Sequence, residues 1–171
     1  MYYFIGNKEF TIAELEKYVK SPRVNPERLE QAARLPIAGV RAAVAANPST
    51  QERALSFLAK DPCEAVRLAA AKHQNISPDA LWVLAHDASR SVLLGVANNP
   101  RASQKTLDFL SRKSDWEIRL AVVNNSQTSP VLLRRLCSDG YLPVRMAANT
   151  RRRHEVLRMQ HSVMMPAEET V

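Results

Sequence analysis

Arginine is the chemistry-bearing residue that recurs most regularly in this sequence: Arg41, Arg67, Arg119 and Arg145 stand one or two intervals of 26 residues apart. Planar guanidinium forks repeated along a stack suit a polyanion, because each can grip a phosphate with two hydrogen bonds. Each fork can equally clasp a carboxylate. Asp61, Asp87, Asp115 and Asp139 recur nearby, and a half-buried arginine normally has such a partner. The carboxylate reading is the stronger, since Leu93 interrupts the arginine column. That gap breaks a phosphate track more than it disturbs packing.

Aromatic residues come next. Trp82 shares its place in the 26-residue interval with Glu30, Ser56, Asp108 and Arg134, and Trp116 with Ala38, Glu64, Arg90 and Leu142. Mostly polar neighbours predict solvent-facing tryptophans, each either an anchor for a partner or an aromatic lid over a neighbouring side chain. Tyr141 reads the same way. Around them lie Arg101, Lys105, Arg112, Lys113, Arg134, Arg135, Arg151, Arg152 and Arg153. Residues 101–171 carry twelve basic and seven acidic residues, whereas 1–40 and 41–100 each carry six and five. An anionic partner is therefore expected to meet the C-terminal half. A charge run is first of all a solvated face, and basic residues interleaved with aromatics also suit nucleic acid or an acidic protein.

Other chemistry is sparse. His73, His86, His154 and His161 lack a ligand-type residue at i+3 or i+4, so no metal site is expected. Cys63 and Cys137 form no CxxC pair, which argues against a zinc ribbon, a redox dithiol and a disulfide framework. Cys137 shares its column with Ala33, Ala59, Ala85 and Ser111 and reads as a small filler, while nothing around Cys63 would activate a thiolate. Phosphate-loop, GxSxG and HExxH motifs are absent, and the aspartates recur by period. No catalytic residue and no cofactor are expected. Neither a secretory signal nor a long apolar run is present, which favours the cytoplasm and no membrane partner.

The elements that must position these residues follow from the interval itself. Leu29, Leu55, Leu81, Leu107 and Leu133 are 26 residues apart, as are Val40, Val66, Val92, Ile118 and Val144. Asn25, Ser77 and Ser129 each precede a proline, the pattern of a helix N-cap followed by its first residue. A first helix of about ten residues starts there. A second, of about eight, carries small residues such as Ala69, Ala70, Gly95 and Ala121, and stops at Asn47-Pro48, His73, Asn99-Pro100 and Asn125. The unit is too short to bury its own apolar face, so five units must stack. Residues 1–23 are expected to cap the stack, with a β-hairpin across Gly6-Asn7 and a helix opened by Thr11 and Glu14. Residues 24–150 hold the five repeats. Residues 151–171 read as a basic helix running from His154 to Met165 with a frayed acidic end at Glu168 and Glu169.

The motif spanning Val40 to Asp61, Val-Arg-x-x-Val-Ala-x-Asn-Pro-x-Thr followed by Leu-x-x-Leu-Ala-x-Asp, resembles the leucine-rich repeat variant family and is similar to short HEAT-like repeats. The resemblance implies an all-α, right-handed solenoid of alternating α-helices and short 3₁₀-like helices. The period is slightly longer than usual for the family, which leaves room for a fuller second helix. HEAT-like repeats bind an acidic residue in the interhelical turn with a similarly placed arginine. The family's iron–sulfur member uses an N-terminal cysteine cluster; no cysteine precedes Cys63 here, so a cluster is not expected. The chain reads as a non-catalytic scaffold for a macromolecular partner, first of all a protein with an acidic surface. The alternative is a nucleic-acid-binding protein using the C-terminal basic face, by analogy with HEAT-like DNA glycosylases.

Overall fold

The structure is a computed structural model that describes residues 2–164, with side chains described through residue 158. The acidic end at Glu168 and Glu169 lies outside the described residues.

A short hairpin, β1 (Tyr3–Ile5) and β2 (Lys8–Phe10), leads into α1 (Ile12–Val19). The strands pair antiparallel with Tyr3 opposite Phe10, and Gly6 makes the turn at a φ of +60°, a conformation that favours glycine. Thr11 and Glu14 form a reciprocal capping box at the start of α1. Five two-helix units follow: α2 (Pro26–Ala32) with α3 (Ala38–Ala46), α4 (Glu52–Leu58) with α5 (Glu64–Lys72), α6 (Pro78–Leu84) with α7 (Arg90–Asn98), α8 (Gln104–Leu110) with α9 (Trp116–Asn124), and α10 (Pro130–Leu136) with α11 (Leu142–Met164). The molecule is an all-α repeat stack.

The first helix of a unit has seven residues and, in units 1 to 4, the second has nine, which reverses the expected order of lengths. Both are α-helical, so the short 3₁₀-like helix implied by the family resemblance is absent. The reason lies in the turn. After Leu58 the amides of Lys60 and Asp61 bond back to Phe57 and Leu58, tightening the helix end. The second helix then opens two to three residues earlier than its first core valine.

Ser77, Ser103 and Ser129 cap the short helices through their hydroxyls, and Pro26, Pro78 and Pro130 occupy the first helical turn. Leu29, Leu55, Leu81, Leu107 and Leu133 are fully buried, as are Val40, Val66, Val92 and Val144. Each such side chain stabilises the stack by roughly 1.5–3 kcal/mol relative to exposure. Second helices pack against one another more extensively than first helices do, because small residues let them approach. A Cβ added at Gly95 would lie 3.1 Å from the Cβ of Ala71 in the preceding unit.

Two polar ladders fix the register between units. One joins the end of each second helix to the unit before. Nδ2 of Asn99 donates to the carbonyls of Ala71 and His73 at 2.7 and 3.1 Å, and Nδ2 of Asn125 to those of Ala97 and Asn99 at 2.7 and 2.9 Å. Asn47 bonds Val19 and Ser21 in the same way. His73 keeps half of the pattern: Nε2 donates to the Asn47 carbonyl at 2.8 Å while Nδ1 accepts from the Asn75 amide. Carbonyls that would otherwise be buried without a donor are satisfied. Among the described residues, no buried side-chain polar atom lacks a partner.

The other ladder is the arginine column. Arg41 clasps Asp61 at 2.6 and 3.0 Å, Arg67 clasps Asp87 at 2.6 and 3.1 Å, and Arg119 clasps Asp139 at 2.7 and 2.9 Å. The carboxylates also accept amides two residues on, from Cys63, Ser89 and Tyr141. The Arg41 and Asp61 side chains are only 13% and 3% exposed. The column is a structural clasp.

The exception at Leu93 is a paired change, because its partner position, twenty residues on, holds Lys113 in place of aspartate. Losing the arginine and the aspartate together leaves no buried carboxylate without its partner. Asp115, read from sequence as another member of the clasp, lies two residues further along and binds Arg90 at 2.5 Å. Arg90 also pairs with Glu117.

Candidate functional site

Each nine-residue helix turns its third and seventh residues, such as Val66 and Ala70, into the core. The fifth residue lies about 200° from the third around the helix axis, on the side away from the core centre, and in the first four units it still packs partly against the core. Down the stack this position reads Ala42, Leu68, Leu94, Leu120 and Met146. The first four are half-buried and Met146 is 61% exposed. Helices packed side by side lie about 8–10 Å apart, so the five residues form an apolar stripe across the second-helix layer. Beside it, between α3 and α5, an open groove of about 540 Å³ is lined by Leu68, Ala69, Lys72, His73 and Pro48 among others. The repeat column carries this signal in plain sight. The sequence reading followed charged and aromatic columns instead, and missed it.

The residues singled out from sequence fall in three places. On the first-helix layer, Trp82 meets His86 edge-on at 4.7 Å and Phe109 of the next unit at 5.4 Å. Lys105 sits 4.0 Å from the Trp82 ring and Lys113 4.5 Å from the Phe109 ring. Trp82 is half-buried, a lid as well as a surface residue, with its ring face occupied by the chain's own cation. Arg112 and Arg135 converge on Asp108 at 2.9 and 2.7 Å, and Arg135 also reaches the Ser111 hydroxyl. Arg134 is exposed and makes no ion pair among the described residues.

At the N-terminal ends of α9 and α11, Trp116 packs on Tyr141 with ring centroids 4.7 Å apart, and Trp116 is half-buried against the core. Arg90, bound to Asp115 and Glu117 on either side of Trp116, holds that turn. The third place is α11. Arg151 occupies the asparagine column and donates to the carbonyls of Val123 and Asn125, with Glu155 at 3.3 Å. The helix continues through residue 151 instead of stopping there, and only a long side chain reaches the carbonyls that asparagine reaches elsewhere. The boundary placed between residues 150 and 151 therefore falls inside one continuous helix. Arg152 and Arg153 are exposed.

Electrostatics follow the clasps. Hydrogen bonds from Arg67 and Arg119 hold the carboxyls of Asp87 and Asp139 below their ordinary range. At Asp61 burial pushes upward, but the Arg41 and Cys63 hydrogen bonds outweigh it and the net direction is again down. All three stay ionised, so none is poised as a general acid. Among the described residues, no group of three or more His, Cys, Asp or Glu is arranged to hold a metal ion, and no helix is long and apolar enough to cross a membrane.

Fold and surface together define a helical repeat protein of the solenoid class. Its repeat fold is that of leucine-rich repeat variants: a solved structure described as "a leucine-rich repeat variant with a novel repetitive protein structural motif" matches with a TM-score of 0.60 and 29% identity over 75% of this chain. The chain matches about half, 51%, of that protein's length. No protein-family model and no curated protein sequence matches it.

Proposed function

We propose that the chain is a non-catalytic scaffold that holds a protein partner along its second-helix layer. The observation that carries this reading is the stripe of Ala42, Leu68, Leu94, Leu120 and Met146, repeated at unit spacing on a layer whose core-facing residues are already satisfied. Half-buried apolar residues aligned over several units, ending at the exposed Met146, leave a continuous apolar strip of the kind that supports an interaction surface. An acidic partner fits best. Lys72, Arg101, Arg134, Arg152 and Arg153 are exposed and make no ion pair among the described residues, and the chain's net charge is +7.

Nucleic acid is the weaker reading. Arg41, Arg67, Arg90, Arg112, Arg119, Arg135 and Arg151 are each bound to a carboxylate of the chain itself, and an apolar stripe offers nothing to phosphate. The test is affinity capture from nuclease-treated lysate with wild type and with a Leu68→Ser, Leu94→Ser, Leu120→Ser variant. A protein retained by the wild type and released by the folded variant supports the scaffold. Retention unchanged by the substitutions, or disappearing with nuclease alone, refutes it.

A further inference from the structure

The fifth unit ends in a helix unlike the others. α11 runs 23 residues, and its first nine complete the repeat. With 100° between successive residues, its inner side holds Val144, Ala148, Arg151 and Glu155. The first two are fully buried, and the ionic pair is about a quarter exposed. The opposite side, within an arc of about 80°, holds Leu142, Met146, Asn149, Arg153 and Val156. Leu142 is 55% exposed and Val156 47%. A helix buried on one side only should be polar on the other; this one keeps large apolar residues on its outer side over some four turns.

The preceding units show what a side packed by a following repeat is made of. Ala45, Ala71, Ala97 and Val123 are fully buried, packed in the layer that meets the following unit. The equivalent residue in unit five is Asn149, which is exposed and folds back onto the Arg145 carbonyl at 2.9 Å. Among the described residues Arg145 has no carboxylate clasp, and its guanidinium donates to the carbonyls of Asp139 and Gly140. Position 149, apolar and buried in the earlier units, is polar and exposed here, while Leu142, Met146 and Val156 on the same side stay apolar.

Charge decides what the stripe accepts. Arg153 lies within it and Arg152 borders it, both exposed and without a carboxylate among the described residues, while Glu155 of the same helix faces inward on Arg151. A second copy would bring arginine against arginine. We infer that the outer face of α11 is a docking site for an acidic amphipathic helix laid lengthwise, its apolar side on Leu142, Met146 and Val156 and its carboxylates on Arg152 and Arg153. Apart from Met146, where the two surfaces meet, this site shares no residue with the stripe across the second helices and stands or falls separately.

The test uses the full chain and a fluorescent peptide of about three heptads, with leucine at the a and d positions and glutamate elsewhere. Micromolar binding is expected, weakened about fivefold or more by Arg153→Glu and by Val156→Ser, the change carried by about 1 kcal/mol. Val83→Ser, on the exposed first-helix layer, should leave it unaltered. Both altered side chains are exposed, so thermal unfolding of the variants should match wild type; Leu142→Ser serves as a third variant if either does not. No binding of the peptide overturns the proposal. So does equal binding of the same peptide with lysine for glutamate, or equal competition by polyglutamate or a DNA duplex, which would indicate a general polyanion surface.

Discussion

The arginines illustrate how a residue type can mislead until its partner is found. Arg41, Arg67 and Arg119 repeat like a phosphate track, yet each closes on an aspartate twenty residues on. Because Asp87 ionises more readily in the folded chain than in the unfolded one, its contribution is present above the unfolded carboxyl pKa of about 3.9 and lost as pH falls through the lower folded value. Asp87→Asn should therefore cost roughly 1–3 kcal/mol at neutral pH. The deficit should shrink as pH falls below about 4, where the unfolded carboxyl takes up its proton, and be least below the still lower folded value, where the folded carboxyl is protonated as well. Thermal unfolding across pH checks this; a deficit independent of pH would mean that charge plays no part. The pairing was partly legible, since the sequence offered arginines and aspartates in step. The partner of position 93 was legible but overlooked: the 26-residue interval puts Lys113 in the aspartate column, and Asp115 stands two residues out of step. Arg151 was harder still: its column reads Asn47, His73, Asn99, Asn125, and nothing in a basic run announces that one member replaces an asparagine.

At the scale of elements, the interval of 26 residues located every helix but not its length. N-caps such as Ser77 mark a start unambiguously, whereas the ends depend on how the Asp61 turn is held by Arg41, a contact between units that local propensity does not contain. The same logic makes the third junction separable from its neighbours. Leu93→Arg alone would set an arginine against Lys113 and should destabilise the stack. Adding Lys113→Asp rebuilds the clasp found elsewhere and should recover at least about 1 kcal/mol through coupling of the two sites. A double-mutant cycle in denaturant measures it, and additive effects would show that residues 93 and 113 do not face each other. The aromatic columns were read as solvent-facing, whereas Trp82 and Trp116 are half-buried. Whether Trp82 serves as a lid was decided by Phe109, one unit away.

For the whole molecule, stability should be a sum over junctions, so the chain can be shortened by units but not arbitrarily. Deleting residues 77–128 removes two whole periods and leaves Arg67 opposite Asp139, a pairing the stack already uses. Deleting 77–102 alone sets Arg67 against Lys113. The shorter protein is expected to unfold at the higher denaturant concentration despite having fewer units, and the reverse order would show that the clasp does not govern the junctions. Stack and cap were readable because periodicity and capping are local. The proposed interaction surface was not, since a stripe of leucine at one phase looks like core until the helices on either side are placed. The claim that this stripe holds a protein partner is tested most directly by site-specific photo-crosslinking, with the reactive group at position 94 and, for comparison, at the exposed first-helix position 83. Discrete protein adducts from 94 and none of the same size from 83 are predicted; identical patterns from both positions, or none from 94, would contradict the account.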